Sequence, residues 1–262
     1  MCGICGYVGD RQAALILREM LEIMERCRLG FESAGIATIQ DNEIVLMKDT
    51  GSVNEVFPAH GTWSQVLRGQ IGIGHIRYPA KIAPVGKSKF AHPFYGCDKR
   101  IALIHNGVIY NYEEIWRELR HHEFSSFDEE HNKINDTEVI VHLLEDEIVN
   151  SNGNIPKAVS KTCERLSGNP QNMYLIAFLF LPQPSKIYVV SGRGNGRKVV
   201  VANKRGFGSL FTSYRDYGIE GRETLGFEAI KPYIDLNQDK FDVLPFNTLA
   251  ILTEDDYNCI SI

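Results

Sequence analysis

The 262-residue sequence has no long apolar run and no stretch dominated by charge of one sign. No apolar segment approaches the roughly 18 residues that a membrane-spanning helix needs, so we expect no membrane association. The N-terminus has no basic segment followed by an apolar core, so we predict no secretory signal peptide. These absences favour a protein that works in the cytoplasm.

Basic patches and cysteine frameworks are missing as well. The formal net charge is −5, and the 28 Lys and Arg residues form no run, which argues against a nucleic-acid partner. The six cysteines show no repeated spacing, and the one Cys-x-x-Cys, at Cys2 and Cys5, has no second copy. This usage fits a reducing compartment better than a disulfide framework. We predict no metal centre and no cofactor.

Hydrophobic periodicity predicts strands at both ends of the chain and helices between them. The predicted strands are 3–8, 33–39, 43–48, 70–76, 100–105, 173–181, 186–191, 198–203, 208–213, 246–252 and 257–262, and the predicted helices are 11–27, 111–120, 135–149 and 155–166. Capping-box patterns mark two helix starts, at Asn111 with Glu114 and at Asn135 with Glu138. The dipeptide Asn106-Gly107 predicts a turn. The polar segment 121–134 predicts a mobile surface loop.

The strand at 173–181 limits the architecture most. Nearly all of its residues are apolar, so it should be covered on both faces. Two stacked sheets with helices outside would cover it, which predicts an α+β fold. No internal repeat and no low-complexity linker interrupts the chain, so we expect one domain over residues 1–262.

The start of the chain, Met1-Cys2-Gly3, predicts an unusual nucleophile. An aminopeptidase could remove Met1, and Cys2 would then carry a thiol and a free α-amino group. A thiol of pKa about 8.5 and an α-amine of pKa about 7.7–8.0 are matched for proton transfer at neutral pH. A terminal amine can thus serve as the general base for its own side chain.

Two other interpretations of these cysteines stay open at this point. They could be small apolar residues of a buried strand. They could also form a metal or redox pair, although in a strand Cys2 and Cys5 point to opposite faces. His75, His92 and His105 could similarly suggest a metal cluster, but no accompanying carboxylate or cysteine spacing supports one, and we favour structural roles for all three.

Five segments in order along the chain favour the nucleophile. They are Cys2-Gly3-Ile4, Glu32-Ser33-Ala34-Gly35-Ile36-Ala37, Gly74-His75-Ile76-Arg77-Tyr78, Ala91-His92-Pro93-Phe94 with the later His105-Asn106-Gly107-Val108-Ile109-Tyr110-Asn111-Tyr112, and Asn135-Asp136-Thr137-Glu138-Val139. This series resembles the class II glutamine amidotransferases, whose nucleophile is N-terminal. It is most similar to the glutaminase domain of glucosamine-6-phosphate synthase.

The resemblance implies a four-layer αββα sandwich and a set of roles. Cys2 would attack the side-chain amide of L-glutamine, and Asn106 and Gly107 would form the oxyanion hole. Arg77, followed by Tyr78 in the same motif, would hold the α-carboxylate of the substrate, because a guanidinium fork suits a carboxylate. Asp136 would hold the α-ammonium group.

The sequence also departs from the family pattern. The family usually has Ala or Ser and then Thr after the Arg-aromatic pair, whereas this chain has Pro79-Ala80, so a hydroxyl that helps to hold the substrate is missing at Ala80. The family's Arg-Asp segment after the central strands is replaced by the loop 192–197. Relatives continue into a synthase or transferase domain, and we therefore expect a separate ammonia-accepting synthase chain, docked on the loops 79–90, 121–134 and 192–197.

Two rival functions remain. The chain could be an N-terminal-nucleophile amidase that acts on another amide, with Ala80 marking the altered specificity. It could also be a regulatory or ligand-binding module that keeps the fold without turnover. The presence of Cys2, Arg77, Asn106, Gly107 and Asp136 together argues against the second.

Overall fold

A computed structural model describes residues 2–79, 86–193, 197–215 and 226–262. Its strands form two antiparallel sheets. In spatial order, the seven-stranded sheet contains β11 (Lys240–Val243), β9 (Arg197–Lys204), β10 (Gly208–Arg215), β1 (Gly3–Gly9), β4 (Ile71–Arg77), β2 (Ser33–Gln40) and β3 (Glu43–Thr50). The six-stranded sheet contains β13 (Tyr257–Ser261), β12 (Thr248–Leu252), β8 (Ile187–Ser191), β7 (Met173–Phe180), β6 (Ile101–Val108) and β5 (Phe94–Tyr95).

The helices pack on the outer faces of the two sheets. They are α1 (Ala13–Arg26), α2 (Val53–Val56), α3 (Trp63–Val66), α4 (Tyr112–Glu118), α5 (Asp136–Asn150) and α6 (Ile155–Ser167). One apolar cluster joins α1 to the seven-stranded sheet, and a second joins α5 and α6 to the six-stranded sheet. A third cluster lies between the two sheets. These layers confirm the predicted αββα sandwich.

Strand β7 shows why the sandwich needs both layers. Tyr174, Ile176 and Phe178 belong to the cluster under the helices, whereas Leu175 and Ala177 belong to the cluster between the sheets. Successive side chains of a strand point to opposite faces, so a nearly continuous apolar run fills two cores at once. The prediction of a strand covered on both faces is confirmed.

Two local predictions from turn and capping patterns were wrong. Asn106 and Gly107 do not form a turn but continue β6, where they pair with Leu175 and Tyr174. Asn111 precedes α4 without a side-chain cap, and that helix ends at Glu118. The paired strand and the packing of α4 therefore outweigh dipeptide and capping preferences at these positions.

The start of α5 is capped by Asn135 but does not form the predicted capping box. The Asn135 side chain accepts a hydrogen bond from the backbone N–H of Thr137. The carboxylate of Glu138 does not turn back to the cap. It instead accepts hydrogen bonds from the backbone N–H groups and hydroxyls of Ser125 and Ser126, at 2.5–2.8 Å. The segment 121–134, expected to be a mobile surface loop, is thus attached to α5 at this point.

No helix in the described ranges is long and apolar enough to span a membrane.

The register of the seven-stranded sheet brings the ends of three strands together. Gly3, at the start of β1, pairs with Ile76, and Ser33, at the start of β2, pairs with Arg77 at the end of β4. Because the strands are antiparallel, Cys2, Glu32 and Arg77 share one edge of this sheet.

Candidate active site

A cavity lies at this edge of the sandwich, where β6 of the facing sheet ends and α5 begins. Five of the six residues predicted from the sequence line it, together with Asn135, Thr137, His92 and His105. The five are Cys2, Arg77, Tyr78, Gly107 and Asp136. The fold therefore brings together side chains from positions as distant in sequence as 2 and 136.

The two cysteines of the N-terminal pair have different surroundings. Cys2 lines the cavity, and its Sγ accepts a hydrogen bond from the backbone N–H of Tyr78 at 3.4 Å. Burial raises the pKa of the Cys2 thiol, and the Tyr78 N–H and the Arg77 charge oppose that rise. Cys5 is fully buried in the core under α1. Burial raises the pKa of Cys5 strongly, which makes that thiol an inert packing group.

Arg77 forms a buried ion pair with Glu32. The distance from Nη1 to Oε2 is 2.6 Å, and only 5% and 6% of the two side chains are exposed. Glu32 also accepts a hydrogen bond from the backbone N–H of Gly86 at 3.0 Å. The backbone N–H of Glu32 in turn donates to the carbonyl of Arg77 at 3.0 Å. These contacts hold the guanidinium in one position beside the cavity.

Tyr78 follows Arg77 at the mouth of the cavity. Tyr78 is 42% exposed, and its ring packs edge-on against that of Phe31, with 5.5 Å between the ring centroids. Its backbone N–H, rather than its phenol, contacts Cys2.

Asn106 is the one predicted site residue that does not line the cavity. It is buried between the sheets, and its Nδ2 donates to the hydroxyl of Ser213 at 3.3 Å. That hydroxyl also accepts the backbone N–H of Ile4 at 3.0 Å, two residues from Cys2. The Oδ1 of Asn106 is buried and has no hydrogen-bond partner among the described residues.

Gly107 occupies a position where a side chain cannot fit. A Cβ at this residue would lie 1.8 Å from the carbonyl oxygen of Met173 and 2.5 Å from Nε2 of His105. The absence of a side chain allows β6 and β7 to pair beside the cavity.

Asp136 is the first residue of α5, and 23% of its side chain is exposed. Its Oδ2 accepts the backbone N–H of Ile109 at 2.9 Å. This bond links the start of α5 to the segment that follows Gly107. A carboxylate in the first turn of a helix is stabilised by the helix dipole.

Three buried histidines lie together at the wall of the cavity, and two of them, His92 and His105, line it. The rings of His75 and His92 stack with 3.9 Å between centroids, and the Thr137 hydroxyl lies 3.3 Å from His92 Nε2 and 3.2 Å from His105 Nδ1. His105 Nε2 is 3.3 Å from the Met173 carbonyl, which can only accept. This network assigns the tautomers of two rings. His92 Nε2–H donates to the Thr137 hydroxyl, which donates to His105 Nδ1, and His105 Nε2–H donates to the Met173 carbonyl.

Burial lowers the pKa of all three histidines, most strongly for His75 and His92. The folded protein therefore holds them neutral where the unfolded chain takes up protons, below about pH 6.5. Since the unfolded state binds more protons there, the free energy of unfolding decreases as the pH is lowered, by up to about 1.4 kcal/mol per pH unit for each histidine. We expect urea unfolding to show markedly lower stability at pH 5.5 than at pH 7.5.

The control for this pH dependence is His60→Gln, at an exposed histidine, which should leave it unchanged. His75→Gln should lower the number of protons taken up on unfolding by about one. The glutamine amide can replace the hydrogen bond from His75 to the His105 carbonyl, but it does not titrate. Equal stability of the wild-type protein at the two pH values would contradict the assignment of neutral buried histidines.

Sequence patterns missed two partners of the site. Glu32 stood within a recognised motif, but the motif gave no sign that its carboxylate pairs with Arg77. Ser213 carried no signal, because it lies 107 residues from Asn106 and 209 from Ile4 in sequence. The departure at Ala80 and the centre of the loop 192–197 lie outside the described residues.

Comparison with known proteins agrees with this fold. A family model described as a glutamine amidotransferase domain matches residues 80–170. The glutamine–fructose-6-phosphate aminotransferase (isomerizing) of Pyrococcus horikoshii is 32% identical over 237 residues, covering 85% of this chain and 37% of the relative. The chain thus spans little more than a third of that relative's length.

Solved structures share the fold across nearly the whole chain. Glutamine phosphoribosylpyrophosphate amidotransferase from B. subtilis matches 99% of this chain and 49% of its own, with a TM-score of 0.67 at 18% identity. A glutamine aminotransferase class-II domain protein from Silicibacter pomeroyi matches 99% of both chains, with a TM-score of 0.59 at 16% identity.

The architecture is therefore that of the N-terminal-nucleophile hydrolases. Within that class, the chain belongs to the class II glutamine amidotransferases.

Proposed function

We propose that residues 1–262 form one glutaminase domain, which hydrolyses the side-chain amide of L-glutamine and passes the ammonia to an acceptor. The observation that carries this proposal is the cavity that Cys2 shares with Arg77, Gly107 and Asp136. It presents a thiol, a guanidinium and a carboxylate, which are the groups needed to attack an amide and to hold an amino acid. Family membership supports the same chemistry.

The proposed reaction runs through a thioester. With Met1 removed, the α-amine of Cys2 accepts the thiol proton and Sγ attacks the amide carbon. The tetrahedral intermediate collapses when the amine returns that proton to the leaving nitrogen, which departs as ammonia. Water, activated by the same amine, then hydrolyses the thioester and releases glutamate. Burial raises the pKa of Cys2, so a base within the same residue is important for forming the thiolate.

Asn106 and Gly107 are proposed to stabilise the oxyanion. Gly107 lines the cavity, and its backbone N–H is the group that we propose as an oxyanion donor. The amide nitrogen of Asn106 carries two N–H groups, and its bond to Ser213 uses one of them. The Ser213 hydroxyl therefore links the Asn106 side chain to the backbone of Ile4, two residues after Cys2.

Arg77 and Asp136 are proposed to bind the α-carboxylate and the α-ammonium group of glutamine. A guanidinium has five N–H donors in a planar fork, which suits contact with more than one carboxylate. Glu32 fixes the fork from the side of the seven-stranded sheet. Asp136 faces the cavity from α5, and Tyr78 covers the mouth. The substrate would thus be held at both ends of its amino-acid group.

We propose that a synthase partner takes up the ammonia. Free ammonia is largely protonated at neutral pH and is then a poor nucleophile. Direct transfer from the cavity to a docked partner would deliver it before solvent protonates it. The P. horikoshii relative is named for fructose-6-phosphate as well as glutamine, which supports a sugar-phosphate acceptor. The six free cysteines support a reducing compartment, and we propose the cytoplasm.

A screen of amides tests this function against its rivals. Ammonia release is measured with L-glutamine, D-glutamine, L-asparagine and N-acetylglutamine, each with and without proteins co-purified from the native cell. We expect release from L-glutamine alone, accelerated by the partner and its acceptor substrate. Preferred release from N-acetylglutamine or asparagine would favour an amidase of different specificity. Glutamine binding without release under any of these conditions would favour a regulatory module.

A further inference from the structure

A second cluster of reactive side chains lies away from the cavity. It consists of Cys97, in the turn between β5 and β6, His122, in the segment after α4, and His142 and Glu145, on α5. One donor atom from each residue lies within 4.8 Å of all the others. We call these four residues the donor cluster. His142 and Glu145 share one face of α5 because they are three residues apart.

The distances between the donor atoms fit a tetrahedral ion. Bonds of about 2.0–2.1 Å from zinc to nitrogen and about 2.3 Å to sulfur place tetrahedral ligands roughly 3.3–3.6 Å apart. Cys97 Sγ lies 3.2 Å from His122 Nδ1 and 3.7 Å from His142 Nδ1, and His122 Nδ1 lies 3.5 Å from Glu145 Oε2. The hydrogen bond of 2.6 Å from His142 to Glu145 would have to lengthen, and the two remaining donor pairs lie within 4.8 Å.

Neighbouring groups hold the donors in these orientations. Asp146 Oδ1 lies 3.0 Å from His122 Nε2, so it orients the ring with Nδ1 toward the cluster. Such a carboxylate behind a histidine is typical of metal ligands. The second oxygen of Glu145 accepts the backbone N–H of Cys97 at 2.8 Å. Gly96 makes room for this contact, because a Cβ there would lie 2.3 Å from that oxygen.

We propose that the donor cluster binds one Zn²⁺ ion. One thiolate, two imidazoles and one carboxylate suit zinc, whereas Mg²⁺ and Ca²⁺ prefer oxygen ligands throughout. With four protein ligands, the site has no open position and is structural. His142 would bind through Nδ1 and leave a buried Nε2–H without a hydrogen-bond partner among the described residues. That cost is small beside the binding free energy of structural zinc sites.

Zinc would attach the segment between α4 and α5 to the middle of α5. Glu138 already holds Ser125 and Ser126 of this segment against the first turn of the same helix. The segment ends at Asn135, the cap of α5, next to Asp136 in the cavity. The proposed site is therefore a support for the helix end that carries a substrate-binding carboxylate. Zinc binding itself is independent of the proposed glutaminase reaction.

Metal titration of the full chain tests the site. Cys2→Ala serves as background, because an N-terminal cysteine can itself chelate metals. The protein is freed of metal with a chelator and titrated with Co²⁺ as a spectroscopic probe, and zinc retained after gel filtration is measured. We expect one ion per chain, with the visible absorption of tetrahedral Co²⁺ and a thiolate-to-metal charge-transfer band.

Two ligand variants and one matched cysteine control identify the residues. Cys97→Ser should remove the charge-transfer band, and both it and His122→Asn should weaken zinc binding by more than the ~10–100-fold typical of partners behind the ligands. Cys259→Ser, at another exposed thiol, should bind like the background protein. Fewer than one zinc ion bound per chain, or equal zinc binding by Cys97→Ser and Cys259→Ser, would overturn the proposal. Circular dichroism confirms that each variant is folded.

The sequence alone predicted no metal centre. The four donors come from three segments separated by 20 or more residues, and only His142 and Glu145 are close in the chain. No local spacing therefore identifies the cluster, and the fold has to assemble it.

Discussion

Replacement of Cys2 by alanine should abolish glutamine hydrolysis, with a loss on the order of 10⁴-fold or more, as is found when other enzymes lose their nucleophile. Cys2 is the one cysteine among the described residues that line the cavity, and the thioester that we propose requires a thiol. The variant should fold normally and still bind glutamine, because the Arg77–Glu32 pair does not involve the thiol. Ammonia release and glutamine binding by calorimetry check the two parts of this prediction.

Cys5→Ala is the matched control. Its thiol is buried under α1 and contacts the Gly74 carbonyl at 3.8 Å, so its removal should lower stability on the order of 1 kcal/mol and spare turnover. A glutamine-analogue electrophile should label Cys2 alone, and intact mass should show that Met1 is absent. A label on Cys5, or full activity in Cys2→Ala, would refute the assignment of the nucleophile.

The different surroundings of Cys2 and Cys5 could be predicted from the sequence, because strand alternation is a local property. Side chains at odd positions of β1, such as Cys5 and Tyr7, face α1, whereas Ile4 and Val8 face the second sheet. The same rule predicted the doubly covered β7 and, with it, the sandwich. Both predictions needed only the period of the strand and the character of each side chain.

Predictions that depended on local preference alone failed where tertiary contacts dominate. Asn106-Gly107 is a frequent turn dipeptide, but ladder pairing with β7 keeps it extended. Glu138 has the position of a capping-box residue, yet Ser125 and Ser126 offer its carboxylate four donors. Hydrogen-bond partners that are distant in sequence, such as Ser213 for Asn106, cannot be identified from one sequence alone.

The buried pair of Arg77 and Glu32 should be the most sensitive ion pair near the site. Glu32→Gln removes the negative charge that is paired with the buried guanidinium, and breaking a buried pair in this way costs about 3–5 kcal/mol. The side chains are only 5% and 6% exposed, so solvent cannot compensate. We expect a loss of that size in urea unfolding. We also expect a raised KM for glutamine, because Arg77 loses the contact that fixes its orientation.

Glu118→Gln is the control for the charge change. Glu118 pairs with Arg165 at the surface, where it is 62% exposed, and the loss should stay under about 1 kcal/mol.

The double variant Glu32→Leu/Arg77→Met separates stability from function. Replacing both charges by apolar groups of similar size removes the need for compensation and should restore the free energy of unfolding. Glutamine use should not return, because the proposed carboxylate-binding group is gone. A double variant that is stable and fully active would show that Arg77 has only a structural role.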